Sequence, residues 1–338
     1  MTQTLDRSQA RLALEICRYT YAVGAGGARN AADREDALAF IRQHSTPAAE
    51  PIAIQDASGT SFACVMPYAD RNIVSYMGTE SEFDVGNPKQ FLESLSDWKE
   101  NGRAAPTSFT LSAEHLGKEQ GVTLPGQVHR GFLAQLKAVQ ADVIRALDAH
   151  GGRQRPVIIT GHSQGGAEAA LATAALAAAG FSVEMTYTFA APRAGTAEFA
   201  RAVTSPVHRF EFGDDVVPHL PPTLIRHVLE ETLTARIEQL PFLLKKAVQV
   251  LLNEVINHLI NVSYVGLGSL CYGSPGDQRL HVGLNGEAEK KLFTTRVTGL
   301  KQNSKNWGDH HHLAGTSADV AAGHRGTYTA LVSDWPIA

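Results

Sequence analysis

The stretch PVIITGHSQGGAEAALATAALAAAG, residues 156–180, sets Ser163 between Gly161 and Gly165. A serine hydroxyl is a poor nucleophile unless a base takes its proton and the oxygen stands clear of its own backbone. A sharp strand-to-helix turn meets the second need, and it crowds the residues two before and two after the nucleophile, where glycine fits. Here VIIT reads as the strand and the alanine-rich run as the helix. The first helical N–H groups, that of Gln164 foremost, then lie where an oxyanion would form. Ser163 is therefore the expected nucleophile; the alternative is a serine that caps a helix after a glycine turn. Two other sets of reactive side chains are read as bland. Cys17, Cys64 and Cys271 are too few and scattered for a disulfide framework or thiolate metal site. The adjacent His310, His311 and His312 cannot all face one ion on regular structure, and they read as a solvated loop. No metal or organic cofactor is expected.

The elements that must hold Ser163 follow one rhythm from about residue 60. The runs SFACVM, NIVSYMG, PVIIT, EMTYTFAAP and PVHRFEF alternate with helical patterns such as FLAQLKAVQADVIRALDA. Strand and helix in turn predict a mostly parallel central sheet with helices on both faces, an α/β fold in a single domain over 1–338. Residues 1–58 read as an N-terminal helical segment. Residues 80–127 are polar and turn-rich, too long for a plain connection, and predict a lid-like excursion. Residues 223–262 predict a helical insertion: Leu244, Val248, Leu251, Val255 and Leu259 fall on one face, with Lys245, Gln249, Asn253 and Asn257 on another. That apolar face would roof a pocket, touch a lipid surface, form a dimer contact or pack on the protein's own core, and an oligomer stays open.

Composition excludes some partners. With Lys+Arg 30 against Asp+Glu 34 in 338 residues, the net charge of -4 leaves no basic patch for a phosphate backbone, so nucleic acid is not expected. The opening MTQTLDRSQARLALEICRYTYAVG lacks the unbroken apolar core of a signal peptide and reads as an amphipathic helix. It predicts a cytoplasmic protein, or one exported without a classical signal peptide.

Over roughly residues 60–335 the sequence resembles the class 3 lipase family of α/β-hydrolases, typified by fungal triacylglycerol lipases. The resemblance rests on YMGTE, SDWKEN, VHRGF, GHSQGG (with Gln164 where leucine is usual), TFAAPRAGTAEFA, GDDVVPHLPP and SYVGLGSLCYG, in that order. It implies a nucleophile–acid–histidine triad in that chain order. The acid segment after PVHRFEF offers Asp214 and Asp215, and the family's Asp-x-Val-Pro pattern falls on Asp215. Histidines after it are His219, His227, His258, His281, His310, His311, His312 and His324. His219 follows too closely, His227 and His258 sit in the insertion, and His281 lies in an apparent strand. The family's histidine precedes a terminal helix with a tyrosine a turn later, which implies His324 with Tyr328 as landmark; the cluster, chiefly His310 or His312, is second. The resemblance also makes Thr79 the second oxyanion donor beside Gln164. His129 and His162 are expected to pack and hydrogen-bond. The implied activity is hydrolysis of acylglycerols through an acyl-enzyme. Phospholipase A1, thioesterase or aryl-esterase action with the same triad is the alternative, and a non-catalytic binding protein on the same fold is the third reading.

Overall fold

The computed structural model describes residues 4–24, 31–78, 105–213, 215, 217–220, 264–284, 288, 289, 292, 311 and 327–338. In chain order these give α1 (Arg7–Gly24), α2 (Ala31–His44), β1 (Ile52–Gln55), β2 (Phe62–Pro67), β3 (Asn72–Tyr76), β4 (Pro106–Leu111), α3 (Ala113–Leu116) and β5 (Val122–His129). Then come α4 (Arg130–Ala149), β6 (Val157–His162), α5 (Gln164–Ala179), β7 (Val183–Phe189), β8 (Gly195–Thr196), α6 (Ala197–Ala202), β9 (Val207–Phe212), β10 (Tyr264–Val265), β11 (Ser269–Ser274), β12 (Arg279–Leu284) and α7 (Thr327–Ser333).

The main sheet runs β1-β2-β3-β6-β7-β9-β11-β12. Its middle five strands are parallel, from β3 to β11, and the outer pairs at both edges are antiparallel. β2, β3, β6 and β9 are buried at every residue. A strand covered on both faces can be apolar without alternation, which is why VIIT and FACVM read as unbroken hydrophobic runs.

Side chains next to each other in a strand nevertheless serve opposite faces. Val65, Val74 and Ile159 join Phe132, Leu136, Val139, Leu171 and Leu176 beneath α4 and α5. Cys64, Ile73 and Ile158 join Leu14, Ile16, Ile41, Tyr328 and Leu331 beneath α1, α2 and α7. Each large aliphatic side chain buried this way contributes roughly 1.5–3 kcal/mol. α5 is buried around most of its circumference, and its alanines let the sheet and α4 close on it from two sides.

The expected excursion over 80–127 is corrected in its second half. β4 and β5 pair antiparallel around the short α3, which Ser112 caps, and with β8 and β10 they make a second sheet in the order β10-β8-β5-β4. Residues 79–104 and the insertion at 223–262 lie outside the described residues.

Candidate active site

Parallel strands bring their carboxyl ends to one edge, and β3, β6, β7 and β9 end in register there: Tyr76 beside Gly161, His162 beside Phe189, and Phe189 beside Phe210. Ligands in open α/β sheets bind at that edge. At the end of β6 the chain turns into α5 through Ser163, whose φ of 55° and ψ of -131° are costly for a residue with a Cβ. The strain is held by the backbone on either side. Ser163 N–H donates to the Phe189 carbonyl at 2.9 Å, and the Ser163 carbonyl accepts from Gly166 N–H at 2.9 Å. A Cβ on Gly161 would strike the Gly165 carbonyl, and one on Gly165 would strike the Tyr76 carbonyl at the end of β3. Both obstacles are backbone and cannot rotate away. Gly165→Ala is expected to destabilise the protein by roughly 1–3 kcal/mol, read as a lowered thermal midpoint, and to abolish covalent labelling of Ser163.

Asp215 follows β9 and is wholly buried. Its Oδ1 accepts from Val217 N–H at 3.0 Å and its Oδ2 from the Tyr328 hydroxyl at 2.8 Å. The His311 Nδ1 lies 3.1 Å from both carboxylate oxygens, and its Nε2 lies 3.0 Å from Ser163 Oγ. A carboxylate only accepts, so Nδ1 carries the proton; Nε2 is then left with a lone pair facing the serine hydroxyl. His311 is 8% exposed, which shields this line from water.

The expectation for the base is thereby corrected from His324 to His311, the middle member of the cluster. His324, His310 and His312 lie outside the described residues. The landmark tyrosine does reach the site, yet it bonds the acid, so its spacing from a histidine is a poor guide to the base. Asp214 and Thr79 also lie outside the described residues. Gly78, just before Thr79, sits where a Cβ would come within 3.3 Å of Ser163 Cβ, so the end of β3 abuts the nucleophile turn.

Behind this line runs a second one that no sequence pattern announces. His162 Nε2 donates to the His311 carbonyl at 2.8 Å, which leaves its Nδ1 as an acceptor, 3.2 Å from the Tyr21 hydroxyl of α1. The same hydroxyl accepts from Gly78 N–H at 3.2 Å. The N-terminal helix thus ties the backbone of the base to the end of β3. His129 instead caps a helix, its Nδ1 accepting from Phe132 N–H at 3.3 Å at the start of α4, and burial pulls its pKa down to about 3. It is neutral at all ordinary pH. The three cysteines are buried, and burial pushes their thiols up to about 12, which removes them as nucleophiles.

An activated hydroxyl, an imidazole with a free lone pair and a buried carboxylate can together carry out acyl transfer. Comparison with known proteins points the same way. Residues 90–225 match the lipase (class 3) family. The secreted mono- and diacylglycerol lipase 1 of Fusarium solani is 39% identical over 112 residues, 31% of this chain and 33% of that protein. The secreted mono- and diacylglycerol lipase A of Penicillium camembertii is 35% identical over 96 residues, 27% and 31% of the two chains. The chain thus aligns with about a third of the length of these curated relatives. The crystal structure of a mutant form of MDLA from Penicillium cyclopium superposes with a TM-score of 0.52 at 16% identity, covering 83% of this chain and 89% of that one, a likeness of fold. The relatives are named as secreted, and this overturns the expectation of a cytoplasmic protein or one exported without a classical signal peptide.

Proposed function

Residues 90–225 place the chain in the class 3 lipase family, on an α/β-hydrolase fold, and from that premise we propose that it hydrolyses the ester bonds of acylglycerols. The observation that carries the reading is the unbroken line of hydrogen-bond distances from Ser163 Oγ through His311 to Asp215. His311 Nε2 takes the Ser163 proton as Oγ attacks the ester carbonyl. The tetrahedral oxyanion accepts from the N–H of Gln164, first on α5, and from that of Thr79, the donor the family resemblance supplies. His311 then gives its proton to the departing glycerol oxygen, and the acyl group stays on Ser163. Water repeats the sequence, with His311 as base again, and frees the fatty acid. Asp215 stays ionised throughout, fixing the tautomer of His311 and stabilising its imidazolium.

The mono- and diacylglycerol activity named for the Fusarium and Penicillium proteins supports partial acylglycerols as the substrates. The apolar positions Leu244, Val248, Leu251, Val255 and Leu259 support contact of the 223–262 segment with a lipid surface or with a second copy. A fluorophosphonate probe and emulsified mono-, di- and triacylglycerols test the reading together. Labelling and fatty-acid release in the wild type, both lost in Ser163→Ala, are the expected result. A wild type inert to both reagents would sink it.

A further inference from the structure

Among the described residues three buried acids take no part in the proposed mechanism; Glu15 and Glu211 are paired with arginines, and Glu168 is not. Glu168 lies on α5, five residues beyond Ser163, and is 1% exposed. Its Oε1 accepts from Gln164 Nε2 at 3.0 Å, and the same amide nitrogen donates to Gln135 Oε1 of α4 at 2.5 Å. An amide nitrogen has two hydrogens, and these two acceptors use both. The Gln164 side chain is therefore folded back into the seam between α4 and α5, where the residue is 5% exposed. From the sheet side the fully buried phenol of Tyr76 feels the Glu168 carboxyl, and among the described residues Glu168 Oε2 and Tyr76 Oη have no hydrogen-bond partner.

This clamp sits on the residue whose backbone N–H begins α5. A leucine there would be held by packing alone, and any of several rotamers would serve it. The two-pronged amide instead fixes one side-chain direction, and with it the rotation of the first helical residue. Building on the acyl-transfer reading above, we propose that Glu168, with Gln135, is a positioning residue that locks Gln164 so that its N–H stays aimed at the oxyanion.

The site favours the uncharged acid, because an ionised carboxyl would be buried with a single amide donor for compensation. Burial raises its pKa to about 8, against which the Gln164 hydrogen bond pulls only weakly. The groups that meet it are the Tyr76 phenol from β3, the uncharged Gln135 amide by way of Gln164, and Gln164 itself. Above about pH 8 ionisation would place a negative charge one helical turn below the N-terminus that must receive an oxyanion.

The test compares the wild type with Glu168→Leu and Glu168→Gln on a short monomeric p-nitrophenyl ester from pH 6 to 10, with thermal midpoints recorded beside kcat and KM. Glu168→Leu is expected to lower kcat about tenfold or more with KM within about twofold. Glu168→Gln keeps an acceptor for the Gln164 amide and should bring kcat back to within about threefold of wild type, while removing the fall in kcat above pH 8. An unchanged kcat in Glu168→Leu overturns the inference. So does an alkaline fall that persists in Glu168→Gln, which decides the matter even if the leucine variant does not fold. A wild type inert to both the ester and a fluorophosphonate overturns the underlying reading and this inference with it; an active wild type with either of the other results overturns the inference alone.

Discussion

Replacing His311 by alanine lowers kcat for ester hydrolysis by about 10⁴-fold or more, while His324→Ala leaves it within about threefold. The first number follows from what remains: the Ser163 hydroxyl keeps its place on the strained turn, but the imidazole nitrogen 3.0 Å away that takes its proton is gone. KM for a short ester should hardly move, because the substrate contacts and the α5 N–H groups are untouched. Asp215 keeps the Val217 N–H and the Tyr328 hydroxyl, so the buried carboxylate is not stranded and the fold should survive. Parallel thermal melts check that point. The reverse outcome, with His311→Ala active and His324→Ala dead, would return the role of base to His324 and make the observed hydrogen bonds incidental.

Why was the base the part of the site that sequence could not locate, when the nucleophile turn was legible at once? The turn is a local object. Gly161 and Gly165 are demanded by carbonyls of Gly165 and Tyr76 that a Cβ would strike, so the pattern and its cause lie within a few residues and one neighbouring strand. The parallel sheet is legible for a similar reason, since strands such as β6 are buried on both faces and show as continuous apolar runs. A triad histidine obeys no such local rule. Any histidine on a connection that returns to the carboxyl edge can serve, and the chain offers eight after Asp215. The landmark of a nearby tyrosine misled because Tyr328 is fixed by its bond to Asp215, not by its distance from the imidazole. β4 and β5 were hidden differently: β5 alternates half-buried and exposed positions with threonine, glutamine and proline among them, so its period-2 signal carries little hydrophobic contrast. Glu168 belongs to no pattern in the sequence, and only its burial on α5, with its bond to Gln164 and the Tyr76 phenol of β3 facing it, gives it meaning.

Asp215→Asn is expected to lower kcat by about 10⁴-fold, and Tyr328→Phe by only about tenfold, on the same ester and with kcat/KM following kcat. The carboxylate receives donors on both oxygens, Val217 N–H on Oδ1 and the Tyr328 hydroxyl on Oδ2, with His311 Nδ1 between them. An asparagine offers one oxygen and an NH₂: turned one way its NH₂ meets the Val217 N–H, donor against donor, and turned the other way the Tyr328 hydroxyl must accept from it instead of donating. Leaving a buried donor unpaired costs about 1–3 kcal/mol of stability. The larger loss is chemical. If the asparagine NH₂ faces His311, the imidazole must present its lone pair at Nδ1 and its proton at Nε2, and then it can no longer accept from Ser163 Oγ. Tyr328→Phe leaves all of that intact. The carboxylate still orients His311 and still accepts from Val217, but it loses one donor that restrains its rotation, which is why the penalty is modest and should appear in kcat and in a thermal midpoint lowered by a few degrees. Phenylalanine also keeps the packing of the ring against Phe189 and Phe212, so the comparison isolates the hydroxyl. Equal losses in the two variants would mean that Tyr328, rather than the charge on Asp215, governs the tautomer of His311, and that the carboxylate is the supporting member of the pair.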